Sequence, residues 1–316
     1  MGANAVIYDG GLDYPTSDRI WRMLSDYNAT IFGISPTAVR FFKKNNVEPL
    51  KLFPLNKIKN IPTTGEPLDE DSWWWLYEKV GNKKIPIMNL SGGTEIGGAM
   101  ISVLPGMKLK PSTVGIPVPG MNLDVIDDDK NSVRGKNGYL VIKSPWPAMT
   151  RGLLNDKKRY LETYWSRFEN IWFHGDYVYV DKDNLWYMRG RTDDVINVSG
   201  HRMSTAEIEH TVISHKKISD AASIAIPDEL TGEAIVVFFV SDDKFNVSNS
   251  EVSDHISEKI GKIAKPKYVF ELSDLPKTRT GKIMRRLLKS KLLGHELGDL
   301  SSLENPQVLD EIKKLG

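Results

Sequence analysis

Hydrophobic positions in the first third of the chain change spacing several times. Ile20, Trp21 and Leu24 recur at helical spacing, and Ser17 is placed to cap that helix. Residues 30–34 form a short apolar run that reads as a buried strand. Ser35 is expected to cap the next helix, with Pro36 at its first position and Val39 and Phe42 facing inward. A further helix is expected near Ser72, carrying Trp73, Trp74, Trp75 and Leu76. Residues 85–90 read as a strand that runs into a glycine-rich turn. This alternation predicts an α/β arrangement with a mostly parallel sheet over residues 1–110.

The pattern shortens after residue 110. Segments 122–126, 139–143, 177–180 and 185–188 are brief β candidates separated by Gly, Pro, Asn and Asp. They predict a small antiparallel or β-barrel-like unit over residues 111–192, with Asp183-Asn184 as a hairpin turn. Residues 193–295 read as a separate, small α+β domain. Ser204 and Glu207 form a capping box for a helix ending near Ser214. Strands are expected at 222–226, 235–240 and 268–271, and helices at 250–262 and 282–293, the last with Ile283, Leu287 and Leu288 as its apolar stripe. Residues 296–316 are polar and read as a loosely held tail.

Composition narrows the function classes. The 42 basic and 41 acidic residues leave a net charge of +1, which argues against a nucleic-acid partner. With no cysteine, disulfides, thiolate catalysis and cysteine-zinc sites are excluded. The apolar run 234–240 is far too short to span a bilayer, and no signal peptide is evident. No membrane association and a cytoplasmic location are the corresponding expectations.

Five segments carry candidate chemistry. Ser91-Gly92-Gly93-Thr94-Glu95-Ile96-Gly97-Gly98 follows a strand, at the sheet end where open α/β sheets bind ligands. Its glycines allow close backbone approach, and Thr94 with Glu95 suits a phosphate and its Mg²⁺. Gly65-Glu66-Pro67 alone reads as a turn. In His174-Gly175-Asp176 the carboxylate is able to accept from both hydroxyls of a ribose, although a turn aspartate is the plainer reading. Residues 190–202 place Arg191 and Arg202 around Asp193, Asp194 and an apolar core, at a composition shift where a hinge or an ion-paired surface loop would lie. In residues 275–282, Gly281 leaves Lys282 exposed, either for an anionic transition state or as part of a solvated basic loop.

Together, in this order, the five segments resemble the adenylate-forming acyl-CoA synthetases, within them the acetyl-CoA-synthetase-like branch. The resemblance runs from about Gly11 to Leu293 and is most specific at residues 190–202 and 275–286. It implies a partial large adenylation domain followed by a small mobile C-terminal domain hinged at Asp193. It implies ATP/AMP, Mg²⁺ and coenzyme A as ligands and a small-molecule carboxylate as substrate. Gly65, Glu66 and Pro67 would line the adenine pocket. Thr94 would touch the α-phosphate and Glu95 would help hold Mg²⁺. Asp176 would take the ribose hydroxyls, with Arg191 close by. Arg202 would contact phosphate, and Lys282 would stabilise charge during adenylation. Ser199 and Gly200 would lie on the CoA path, with Lys259, Lys262 and Lys265 as candidates for its 3′-phosphate. Two other readings stay open: a non-catalytic nucleotide- or CoA-binding module, and another branch such as an aryl-CoA ligase or a peptide-synthetase adenylation domain.

Two departures stand out. Acetate-specialised relatives carry a Trp two residues before the Thr-Glu pair, where this chain has Gly92, with Gly93 beside it. The expected consequence is room for an acyl group larger than acetyl. The family's Ser/Thr/Gly-rich phosphate loop has no counterpart in these residues, as expected of a split-gene product whose other half is a separate chain, of an interrupted frame or of a cloned piece. The purified 316-residue chain alone is therefore expected to release no pyrophosphate in a carboxylate-dependent assay at a normal enzymatic rate. Robust release would overturn that expectation.

Overall fold

The computed structural model describes residues 2–199, 201–241, 246–279 and 281–315, and only the backbone of Arg202. The chain divides into two compact units, Met1–Ser91 with Ile101–Ile116, and Gly92–Met100 with Pro117–Gly316.

In the first unit, helix α1 spans Arg19–Asp26 and helix α2 spans Pro36–Lys44, followed by the short α3, Pro49–Leu52. Ser35 caps α2, its side chain accepting from the Ala38 N–H at 3.3 Å. Ser17 does not cap α1. Asp18 occupies that position, and its carboxylate is drawn instead to Thr16 and to Arg22 one turn on. Strand β1 spans Ile61–Thr63, and α4, Glu70–Trp75, continues into a wide π-type turn over Leu76–Val80. Helix α4 starts close to Ser72 as expected, and Asp69 caps it, its carboxylate accepting the Ser72 N–H at 2.8 Å.

Strand β2, Ile87–Gly93, pairs in parallel with β1, Ile61 opposite Ile87. Strands β3, Gly98–Ser102, and β4, Ile116–Pro117, complete a sheet in the order β1-β2-β3-β4. The strand expected at 30–34 is reduced to two parallel bridges, Ile31 to Asn60 and Ile34 to Thr63. Pro62 has no N–H to return across that ladder. Trp21, Val39, Phe42, Ile61, Leu76 and Ile87 form the unit's core.

The second unit holds two further sheets. Strands β5, Leu123–Ile126, and β6, Asn137–Ile142, are followed by helix α5, Lys157–Tyr164. Strands β7, Trp172–Val180, and β8, Trp186–Arg191, complete an antiparallel meander in the order β5-β6-β7-β8. This corrects the barrel-like expectation: the sheet is open, and four strands are too few to close around a packed interior. The β7–β8 turn falls where expected. Asn184 adopts φ +57°, and Asp181 Oδ1 accepts the N–H of Asp183 and of Leu185.

The remaining elements are β9, Ile196–Val198; β10, His201–Met203; α6, Thr205–Ile213; β11, Ile218–Asp228; β12, Gly232–Ser241; α7, Asn249–Lys259; β13, Tyr268–Glu271; and α8, Arg285–Leu293. The sheet runs β10-β9-β12-β11, with β13 parallel to β12. Ser204 caps α6 by accepting the Glu207 N–H at 3.4 Å. Among the described residues no helix is long and apolar enough to cross a membrane.

Strand β12 explains the C-terminal segment. Its apolar run alternates between two cores. Ile235, Val237 and Phe239 pack with Ile208 and Val212 of α6 and Val252 and Ile256 of α7. Val236, Phe238 and Val240 pack with Leu287, Leu288 and Leu292 of α8, and with Val308, Leu309 and Ile312. The segment read as a loose tail is thus a strap over a sheet face that α8 does not cover alone. A strand apolar on both sides needs both faces covered, and the strap's apolar residues, three of them buried, were dispersed among polar ones. Asn305 fastens the strap. Its Nδ2 donates to Asp274 Oδ2 at 2.9 Å and to the Leu275 carbonyl at 2.8 Å, and its Oδ1 accepts the Lys277 N–H at 3.0 Å.

Helix α8 begins three residues later than expected. Residues 277–279 and 281–283 pair as a hairpin instead, with Lys277 bridged to Ile283 and Gly281 at φ +85°. Asn305→Ala is expected to cost about 2–3 kcal/mol of folding free energy, because it leaves buried groups unpaired. Denaturant titration checks this, and a loss below about 0.5 kcal/mol would show that the strap is held by its apolar residues alone.

Candidate functional site

Strands β7 and β8 build the centre of the candidate site. Alternation along β7 puts Trp172, His174 and Asp176 on one side, and the register sets Asp176 opposite Arg191. Both His174 and Asp176 are buried, at 4% and 8% exposure. Arg191 Nη1 donates to Asp176 Oδ1 at 3.3 Å and to the His174 carbonyl at 3.0 Å. Gly175, at φ +84°, is required by this arrangement, since a Cβ there would stand 2.4 Å from Arg191 Nη2. Burial raises the pKa of Asp176, opposed by His174 and Arg191. Burial lowers the pKa of His174, opposed by Asp176 and Glu95.

The turn between β2 and β3 brings Glu95 to the same cluster. The Glu95 carbonyl accepts the Thr150 N–H at 2.7 Å, and Glu95 Oε1 lies 3.5 Å from the Tyr164 hydroxyl. Tyr164 stacks on Trp172 at 4.2 Å between ring centres, and burial, then the Glu95 charge, raises its pKa. Thr94 is exposed at the tip of the turn. The two preceding glycines are close-approach residues. A Cβ at Gly92 would meet the Gly98 carbonyl at 2.2 Å, and one at Gly93 would meet Glu95 Oε2 at 2.8 Å and His174 Cε1 at 3.0 Å. The volume freed at Gly92 is therefore taken by backbone, which gives that position a reason to be glycine independent of acyl size.

Beyond β8 the chain enters the hinge candidate. Arg191 Nε lies 3.5 Å from Asp193 Oδ1, and Thr192 Oγ1 donates to the Gly175 carbonyl at 3.2 Å. Burial raises the Asp194 pKa, with Arg285 as the main opposing charge. Arg285 itself holds Glu209 through two hydrogen bonds of 2.8 and 2.6 Å. Ser199 sits at φ +50° in the β9–β10 turn, its N–H donated to the Thr231 carbonyl at 2.8 Å. Gly200 and the side chain of Arg202 lie outside the described residues. Lys282 is exposed on its hairpin, its own N–H donated to Thr278 Oγ1 at 3.2 Å. Lys259, Lys262 and Lys265 are exposed along and after the end of α7.

In the first unit, Gly65 adopts φ +107° with open space around a would-be Cβ, so conformation alone favours glycine. The Glu66 carboxylate points to α2. Oε1 accepts the Thr37 N–H at 2.8 Å and also the Thr37 hydroxyl, while Oε2 accepts from Arg40 Nη2 at 2.9 Å. Glu66 thus supports the first turn of α2, and its side chain is committed there.

The structure gathers Glu95, Asp176, Arg191 and Asp193 of the expected residues. Among the described residues no hydrogen bond or ion pair links Lys282 or Ser199 to them. Sequence reasoning missed Tyr164, Trp172 and the His174 side chain. The strand period at 172–176 was the available signal for two of these, and no spacing pointed to Tyr164. Among the described residues no three His, Cys, Asp or Glu side chains are grouped to hold a metal. Glu95 as a single carboxylate fits Mg²⁺ of the kind held mainly by a nucleotide's phosphates.

The profile described as "AMP-binding enzyme" matches residues 1–154, and that of the "AMP-binding enzyme C-terminal domain" matches residues 207–282. This chain belongs to the AMP-binding enzymes. An acetyl-coenzyme A synthetase of Pyrobaculum aerophilum is 42% identical, aligned over 99% of this chain and 48% of its own length. One of Methanothrix thermoacetophila is 39% identical over 99% of this chain and 49% of its own. Among solved structures, acetoacetyl-CoA synthetase from Streptomyces lividans superposes with a TM-score of 0.84 at 26% identity, covering 96% of this chain and 47% of that one. An anthranilate CoA ligase in complex with anthranoyl-AMP gives 0.78 at 26% identity, covering 92% and 54%. The chain spans about half the length of the curated relatives it matches. The resemblance drawn from the five segments is borne out at the level of the family.

The raised pKa of Asp176 has a consequence for stability in this AMP-binding enzyme. Between the ordinary value of 3.8 and the higher folded value, the folded chain holds the proton more tightly than the unfolded one. Stability is therefore lost as pH rises through that window, and the loss is complete above the folded pKa. Asp176→Asn removes the desolvated charge. It is expected to raise the melting temperature at pH near 7 and to flatten its pH dependence upward from about pH 4. A lower melting temperature at neutral pH would mean that the Arg191 and His174 contacts outweigh desolvation.

Proposed function

We propose that this chain supplies the nucleoside-gripping and lysine-bearing part of an AMP-forming acyl-CoA synthetase. In that reaction a carboxylate oxygen attacks the α-phosphorus of ATP, the bond to the β-phosphate oxygen breaks, and pyrophosphate leaves. The CoA sulfur then attacks the acyl carbonyl, its proton is lost to solvent, and AMP leaves.

Asp176 accepts from the two ribose hydroxyls, and Arg191 lies against the ribose and phosphate. Thr94 donates to the α-phosphate. Glu95 holds Mg²⁺, which supplies charge neutralisation on the phosphates when bound. Lys282 and Arg202 are the cations for the charge that develops on the phosphate and carboxylate. Asp193 is the hinge of the small domain, and Ser199 with Gly200 lies on the CoA path. Gly65, Glu66 and Pro67 face the base, Glu66 through its backbone because its carboxylate serves α2. Gly92 and Gly93 face the acyl group, which would meet backbone there rather than a vacated side-chain position. The proposed partner is a separate chain carrying the remainder of the family's length.

The observation that carries this reading is Asp176, a buried carboxylate held by Arg191 with Glu95 in the same cluster. Perturbed carboxylates of this kind concentrate at functional sites. Adenosine binding to the 316-residue chain, measured by calorimetry, tests it. Asp176→Ala is expected to weaken binding at least tenfold or so, while Lys282→Ala changes it by less than about twofold because adenosine has no phosphate. Equal binding by Asp176→Ala, or none by the unmodified chain, would remove the reading.

A further inference from the structure

Trp172 is fully buried, and its indole nitrogen can only donate a hydrogen bond. Nε1 of Trp172 points at Nδ1 of His174 at 3.3 Å. That ring nitrogen must therefore be the acceptor, which places the proton of the neutral ring on Nε2. A half-turn of the imidazole would set a carbon against the indole N–H and strand a buried donor. An imidazolium would oppose two N–H groups at the same place, and burial disfavours that charged form as well. Nε2 faces Asp176 Oδ2 at 3.6 Å, while Arg191 takes Oδ1. The bare α-carbon of Gly93 leaves the space that the His174 ring edge occupies.

We infer that His174 is a positioning residue: Trp172 locks it as the Nε2–H tautomer, and that N–H fixes the plane of the Asp176 carboxylate. Its role in binding rests on the reading of Asp176 as the ribose ligand. His174 need not touch the nucleotide. Arg191 holds Oδ1 and the Nε2–H faces Oδ2, which leaves the outward lone pairs of both oxygens for two vicinal hydroxyls. The gap of 3.6 Å is longer than a hydrogen bond and is expected to close when the ribose draws the carboxylate into line.

Two measurements test this. Long-range ¹⁵N–¹H spectra of the unmodified, ¹⁵N-histidine-labelled chain at neutral pH are expected to show His174 as a single Nε2–H tautomer. Trp172→Phe is expected to release it into a tautomer mixture. An Nδ1–H or doubly protonated ring in the unmodified chain overturns the inference, with no dependence on nucleotide binding or on any variant folding. Adenosine titration is the second. His174→Phe is expected to lose about tenfold in affinity, and His174→Gln, whose amide nitrogen reaches the Nε2 position, to recover to within about threefold of the unmodified chain. Glutamine performing no better than phenylalanine overturns the positioning role. If the unmodified chain binds no adenosine, the ribose reading falls, and the tautomer spectrum alone upholds or overturns the Trp172–His174–Asp176 arrangement.

Discussion

Asp176 is nearly out of water, and an isolated carboxylate there would neutralise rather than stay charged. Much of the candidate site is the local answer to that constraint. Arg191 reaches it across the β7–β8 pair because the register makes the two residues direct partners. The guanidinium fits between strands only because residue 175 has no side chain. His174 approaches from the same strand two residues away, and Trp172 beneath it fixes the ring. The same indole carries Tyr164 on its face, and Tyr164 reaches Glu95. One buried charge thus accounts for a run of residue choices along β7, at the end of β8 and in the β2–β3 turn.

A similar arrangement ties the start of the small domain to the base of α8. Glu209 is buried on α6 and is met by a bidentate Arg285, which also faces the desolvated Asp194. Burial raises the pKa of Asp194, Arg285 opposes that shift, and the neighbouring Asp193 and Glu209 charges add to it. Arg285 lies three residues beyond Lys282. The hairpin bearing that lysine is consequently anchored on one side by α8 and on the other by the strap at Asn305. Arg279 and Lys282 are exposed there, while Pro276 and Ile283 at its base are buried.

Elements whose signal is local and strong were legible in the sequence. The helix capped by Ser35 and Pro36, the strands of the small domain and the turn at Asp183-Asn184 lie where periodicity and turn chemistry put them. What escaped was decided by partners distant in sequence. Pro62 weakened the strand at 30–34 from the opposite side of the ladder. Asp18 took the cap position expected for Ser17, and Asp69 started the helix expected near Ser72. The strap at 303–312 has an unremarkable pattern by itself and becomes intelligible only beside the uncovered face of β12. At the site, Asp176 and Arg191 were visible through short segments, but the hydrogen bond that orients His174 requires knowing that Trp172 is buried beneath it. Burial is a property of the fold and not of the triplet.

The glycines show why residue type alone is ambiguous. Gly92 stands where acetate-specialised relatives carry an indole, and from sequence that substitution reads as a larger acyl pocket. In the structure the Gly98 carbonyl occupies the space a Cβ at residue 92 would need, 2.2 Å from it. An indole could not be restored there without displacing the β2–β3 turn, and that turn carries Thr94 and Glu95. A side chain at residue 92 would meet backbone of the β2–β3 turn, the turn that carries Glu95. Gly93 extends the same argument, because a Cβ there would crowd the side chains of Glu95 and His174, at 2.8 and 3.0 Å.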